Sequence, residues 1–84
     1  MGLPVEPVTL SQGQIQELAE RLSLLRHNVN NHLSLIVAAL ELIRRKPELA
    51  PRFLDNLAQQ PDKIIEEMRA YSDHLEKTCG ITRP

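Results

Sequence analysis

A histidine and an asparagine one helical turn apart are the side chains of this sequence best suited to chemistry. They are His27 and Asn31, and they lie within the stretch Leu25-Arg26-His27-Asn28-Val29-Asn30-Asn31-His32-Leu33. Residues four apart are neighbours on a helix surface, and an imidazole that faces water can attack a phosphoryl group. The Asn31 amide would then be well placed to hold a water molecule or a phosphoryl oxygen. On spacing alone, an ordinary solvated surface histidine is the favoured interpretation, and a phosphoryl-transfer site is the alternative.

The apolar residues between positions 15 and 43 are spaced by three and four, which is typical of a long amphipathic helix. In this heptad seam, His27 falls at the position farthest from the apolar side, whereas His32 falls on that side. We therefore expect His27 to be exposed, and His32 to be largely buried as a polar residue that fixes the register. For His74, near the end of the second helix, we expect an ordinary surface position. The seam comprises Ile15, Leu18, Leu22, Leu25, Val29, His32, Ile36, Ala39 and Ile43.

Capping and breaking residues indicate where two helices begin and end. Ser11 is followed three residues later by Gln14, which is the spacing of a capping box. Pro47 ends the first pattern, and Pro51 can open the next helix in its first turn. Gly80 ends the second pattern.

These limits divide the chain into three parts. We predict an extended lead-in over residues 1–10, a helical hairpin over 11–78 and a C-terminal tail over 79–84. The helices of the hairpin should span about 11–46 and 51–78. The second helix has its own heptad seam, and Pro61 within it is expected to cause a kink. That seam comprises Leu54, Leu57, Pro61, Ile64, Met68, Tyr71 and Leu75.

Chain length and composition limit the fold. A chain of 84 residues with only two aromatic side chains must build its core from aliphatic residues, and two helices cannot enclose such a core by themselves. A short connection between long helices implies antiparallel packing. We predict an all-α fold: a long antiparallel helical hairpin that dimerises into a four-helix bundle.

Several functional classes are disfavoured by composition. The net charge of −1 gives no basic field for nucleic acid, and the longest apolar stretch is far shorter than a membrane helix needs. Residues 1–10 lack the features of a signal peptide, and the single cysteine, Cys79, fits a reducing cytoplasm. Because His27 and His32 are five residues apart, no metal site is predicted. We expect a cytoplasmic protein without membrane contact.

The segment His27-Asn28-Val29-Asn30-Asn31-His32-Leu33 resembles the H-box of two-component sensor histidine kinases. In their dimerisation and histidine-phosphotransfer domain, the box often contains His, an acid, any residue, Asn, Asn, any residue and Leu. It lies on a long first helix that a short connection joins to a second. The resemblance covers roughly residues 11–78 and implies a homodimeric four-helix bundle. It also implies that His27 is the phosphoacceptor, that Asn31 positions water, and that Asn30 has a supporting role.

Asn28 departs from the family pattern, which usually has Asp or Glu at this position. That acid orients the imidazole and takes its proton, whereas an amide can orient the ring but is a poor base. We therefore expect autophosphorylation to be slow or absent.

The chain alone is not expected to be a complete kinase, and no cofactor is expected in it. ATP would be held by a separate kinase ATP-binding domain. The other implied partners are a second copy and the receiver domain of a response regulator. The alternatives are a degenerate relative that acts as a scaffold without phosphochemistry, and an unrelated helical-hairpin adaptor.

Overall fold

Two long helices packed against each other form the whole fold in a computed structural model that describes residues 2–81. Helix α1 spans Gln12–Arg45 and helix α2 spans Ala50–Cys79, and a 3₁₀ turn over Pro47–Leu49 joins them. The predicted all-α helical hairpin is therefore confirmed. Cys79 belongs to α2 rather than to the predicted tail. Residues 82–84 of that tail, and Met1 of the predicted lead-in, lie outside the described residues.

The start of α1 is fixed by the predicted capping box. The Ser11 hydroxyl accepts a hydrogen bond from the Gln14 backbone N–H at 3.1 Å. The Gln14 side-chain oxygen accepts one from the Ser11 N–H at 2.8 Å. Two N–H groups that a helix leaves without partners are thus satisfied. At the other end of α1, Arg44 and Arg45 place positive charge beside the negative end of the helix dipole.

Proline and glycine set the limits of α2. Pro51 lies in the first turn, where its missing N–H costs nothing. Gly80 adopts the left-handed conformation with φ of 67°, and Ile81 N–H then donates to Glu76 O at 2.9 Å. This is a common end of a helix, because glycine reaches positive φ without a steric penalty. Pro61 lies inside α2, which is helical on both sides of it.

The hairpin is a single layer of two helices. It measures 58 × 27 × 13 Å. Among residues 2–81, no hydrophobic side chain is fully buried, and the one buried residue is Gln60, with 2% of its surface exposed. Helical domains normally bury their apolar stripes between two packed layers. One copy of this hairpin supplies one layer only.

The predicted seam on α2 is wrong at three of its seven positions. Leu54, Pro61 and Met68 are exposed, whereas Gln60 is buried and Leu57 is half-buried. One neighbouring helix covers only a narrow stripe of α2, and that stripe passes through Gln60 rather than Pro61. On α1 most of the predicted seam is half-buried, but Ile15 and Leu22 are exposed. The apolar stripe on each helix is therefore wider than the contact between the two helices.

Candidate functional site

His27 lies on the outer surface of α1, near the middle of the helix, and its side chain is exposed as predicted. Its partner is Asn31, one turn along the same helix and also exposed. The Asn31 Nδ2 atom lies 3.3 Å from His27 Nε2. The predicted pairing of the imidazole with an amide one turn away is thus present.

The chemistry of the Asn31 amide identifies the protonation pattern of a neutral His27 ring. An amide nitrogen donates hydrogen bonds and does not accept them. With Asn31 Nδ2 facing it, His27 Nε2 must therefore be the acceptor, and the ring proton lies on Nδ1. In a neutral imidazole the nitrogen without a proton carries the available lone pair, and here that nitrogen is Nε2. At 3.3 Å the hydrogen bond that holds it is long and therefore weak.

Asn28, the third predicted site residue, is turned toward α2. One residue beyond His27, it lies about 100° further round the helix, and it is half-buried. Its Nδ2 donates to Glu67 Oε2 at 3.2 Å. The Asn28 amide therefore links the two helices, and the ring of His27 takes its hydrogen bond from Asn31.

A polar network around His32 was not predicted from the sequence. His32 Nδ1 lies 2.8 Å from Gln60 Oε1. Gln60 Nε2 donates to Asn56 Oδ1 at 2.9 Å and approaches Asn56 O at 3.3 Å. Because an amide oxygen can only accept, His32 must carry a proton on Nδ1. His32 itself is half-buried rather than largely buried, since the single layer leaves one side of it open.

The available signal for this network was the position of Gln60. It lies three residues after Leu57 and four before Ile64, which is the spacing of a residue on the same helix face. A seam drawn through apolar residues passes through Pro61, the neighbour of Gln60, and therefore omits Gln60. A buried polar side chain is stable only when its hydrogen bonds are made, and Gln60 makes them with both helices.

The default expectation of a surface position for His74 is wrong. Only 20% of its side chain is exposed, and Nε2 lies 4.0 Å from Glu17 Oε1. That Nε2 atom is buried and has no hydrogen-bond partner. The same carboxylate oxygen of Glu17 is 3.0 Å from Arg21 Nη2. His74 therefore packs against α1 beside an ion pair, at the end of the hairpin remote from the turn.

Across residues 2–81, no group of three His, Cys, Asp or Glu side chains is placed to hold a metal ion. Neither of the described helices is long and apolar enough to cross a membrane.

Comparison of the chain with protein-family models, with curated proteins and with solved structures gives no match.

Proposed function

We propose that this chain is a dimerisation and phosphoacceptor domain of the histidine-kinase type, acting in two-component signal transduction. His27 exchanges a phosphoryl group with an aspartate in the receiver domain of a response regulator. The observation that carries the proposal is the exposed His27 ring, with its Nε2 lone pair toward solvent-exposed Asn31. The H-box resemblance of residues 27–33 supplies the type of reaction.

The proposed transfer needs only groups that the two proteins supply. The Nε2 lone pair of His27 attacks phosphorus in the aspartyl phosphate, an N–P bond forms, and the bond from phosphorus to the aspartate oxygen breaks. The carboxylate leaves with that electron pair, and the Nδ1 proton of the imidazolium passes to water. Asn31 Nδ2, which no longer faces a lone pair, can then donate to a phosphoryl oxygen.

The same geometry predicts weak acceptance from ATP. A base beside the ring would take the Nδ1 proton as the N–P bond forms, but Asn28 is an amide, and its Nδ2 donates to Glu67. Transfer from ATP would also require a separate catalytic domain. Exchange with a receiver domain is therefore the reaction that this proposal favours.

A scaffold without phosphochemistry is the second candidate. The contact between Asn28 and Glu67 favours it, because it uses the position of the usual acid to join α1 and α2. In that case the hairpin would serve dimerisation or partner binding alone, and His27 would be a solvated surface residue.

Labelling separates the two candidates. The chain is incubated with a phosphorylated receiver domain and, separately, with a kinase catalytic domain and labelled ATP. We expect label that survives base and is lost in acid, as a phosphoramidate bond requires, and His27→Ala should abolish it. Ser34→Ala, a change at another exposed position of α1, should leave it intact. A folded wild type that stays unlabelled with both donors would support the scaffold.

A further inference from the structure

A groove between the two helices near the turn has an apolar wall on α1 and a polar wall on α2. It encloses about 420 Å³, which lies within the roughly 300–1,000 Å³ of small-molecule sites. His32 and Gln60 are level with each other across the helices. Seven residues nearer the turn on each helix are Ala39 and Phe53, which line the groove. The antiparallel alignment of the hairpin therefore creates the groove.

The α1 wall consists of apolar side chains alone. Leu35, Ala38, Ala39 and Leu42 follow the spacing of residues on one side of a helix. Leu35 and Leu42 are seven residues apart, which is about 10 Å along the helix. They remain 53% and 44% exposed. This wall can therefore cover an alkyl chain, but it offers no hydrogen bond from a side chain.

The α2 wall carries a positive charge and hydrogen-bond donors. Arg52 lies in the first turn of α2, and within residues 2–81 it forms neither an ion pair nor a hydrogen bond, although Glu48 and Asp55 are one turn away on either side. Asn56 is its neighbour four residues on. The Asn56 Oδ1 atom accepts from Gln60 at 2.9 Å, so the other end of its amide is Nδ2, which only donates. A carboxylate, which only accepts, complements both groups.

Two further grooves between the helices lack this complementarity. Arg21 lines one of them, but it is paired with Glu17 at 3.0 Å. Glu67 lines both, so a second carboxylate would meet repulsion there. The groove near the turn has Arg52 in its wall and no acidic side chain.

We propose that the groove near the turn binds a small amphipathic carboxylate. Its alkyl chain lies against the leucines of the α1 wall, and its carboxylate lies between Arg52 and Asn56. Hydrogen bonds from a guanidinium to a carboxylate are charge-assisted and stronger than those between neutral groups. Because Leu35 and Leu42 stay about half exposed, binding should be reversible, with a dissociation constant of roughly 1–5 mM for a ligand of this size. It does not require phosphoryl transfer at His27.

Phe53 allows binding in the groove to be followed by NMR. It is the single phenylalanine of the chain, so its ring signals identify the groove directly. Tyr71, the single tyrosine, donates to Leu18 O near the other end of the hairpin and serves as the internal control. Titration with octanoate, below its micelle concentration, should shift the Phe53 signals and leave those of Tyr71 in place. Octylammonium has the same chain with the opposite charge, and acetate has the head group alone. Each should bind at least about tenfold more weakly.

Two matched pairs of substitutions locate the binding. Arg52→Gln should weaken octanoate binding by at least about fivefold. Arg45→Gln, the same change at an exposed arginine that does not line the groove, should leave it within about twofold. Leu35→Ala should weaken binding more than Leu33→Ala does, since Leu33 has a similar exposure of 46% but does not line the groove. Circular dichroism checks that each variant keeps the helical content of the wild type.

Several results would overturn the proposal. Equal shifts of Phe53 and Tyr71 would place the alkyl chain on the hairpin at large rather than in the groove. Equal binding of octanoate and octylammonium, or equal effects within either pair of variants, would remove the role of the α2 wall or of the α1 wall. Phe53 signals that do not respond to octanoate well above the expected dissociation constant would also overturn it. If those signals changed instead with protein concentration, a second copy of the chain would be the occupant of the groove.

Discussion

Two histidines on one helix, five residues apart, have different surroundings. The His27 ring accepts from Asn31 at Nε2, whereas His32 donates to Gln60 from Nδ1. In both neutral rings the proton lies on Nδ1. The difference is that His27 has only an exposed neighbour, while His32 is anchored to the one buried residue of the described chain. The His27 ring is therefore open to solvent, whereas the His32 ring is held between the two helices.

Measurements of unfolding free energy should distinguish the exposed His27 ring from the His32 network. His27→Ala should change the free energy of unfolding by less than about 0.5 kcal/mol, because the ring is exposed. Gln60→Leu should cost about 1–3 kcal/mol, since it leaves His32 and Asn56 without buried partners. Urea unfolding followed by circular dichroism measures both. Gln59→Leu, at the exposed neighbouring position, is the control, and an equal loss there would argue against the network.

The contact between Asn28 and Glu67 makes a double-substitution test possible. Asn28→Asp would place a second carboxylate where an amide now donates at 3.2 Å, and the repulsion should destabilise the hairpin by about 1–2 kcal/mol. Glu67→Gln in the same chain should recover most of that loss. Asn30→Asp, at an exposed position, should have little effect.

The same double variant bears on catalysis. With Asn28→Asp and Glu67→Gln together, a carboxylate lies one residue from His27, and it can take the Nδ1 proton once its side chain turns from α2 toward the ring. Labelling of His27 by a kinase catalytic domain with ATP should then be faster than in the wild type. An unchanged rate in a folded double variant would contradict the argument that the missing base limits acceptance.

At the scale of the helices, each end is determined by local chemistry. Ser11 caps α1 and Gly80 ends α2, and both limits follow from short sequence patterns. Such features depend on residues within one turn of each other, so they are predictable without knowledge of the fold.

Replacing each of two glycines by alanine should change the stability in opposite directions. Gly80→Ala should destabilise by about 1 kcal/mol, because the backbone is left-handed there although a Cβ would meet no atom within 4 Å. Gly13→Ala should stabilise by about 0.5–1 kcal/mol, since Gly13 is helical and its Cβ would meet only Ser11 Oγ at 3.9 Å. Thermal unfolding of the two variants side by side gives the comparison. Equal destabilisation by both would mean that backbone conformation does not determine how a substitution changes the free energy of unfolding.

The alignment of α2 against α1 was the part that the sequence did not predict. A heptad pattern identifies an apolar stripe, but it does not say which edge of a wide stripe faces the neighbouring helix. Gln60 rather than Pro61 is enclosed, and Glu67 rather than a residue of α1 receives Asn28. Both contacts join residues far apart in the chain, so they depend on how the Pro47–Leu49 turn sets one helix against the other. The exposure of His27 was predictable because α1 alone determines it.

At the scale of the whole molecule, the seam between α1 and α2 is the interaction that holds the hairpin together. Leu25→Asp should abolish most of the helical signal, because a carboxylate would be left half-buried without a partner. Leu24→Asp, at the neighbouring position that is 58% exposed, should keep the fold. Circular dichroism at several protein concentrations measures the effect. A fully helical Leu25→Asp variant would show that the seam has been misplaced.

Tyr71 provides this chain with an intrinsic optical probe. It is the sole tyrosine, and there is no tryptophan to mask its emission. Its hydroxyl donates to Leu18 O at 3.4 Å across the two helices. Separation of the helices at this end would transfer the phenol from a peptide carbonyl to water, which changes its absorbance and fluorescence. Opening of the hairpin can therefore be timed in stopped-flow experiments on the unmodified protein, without attaching a dye.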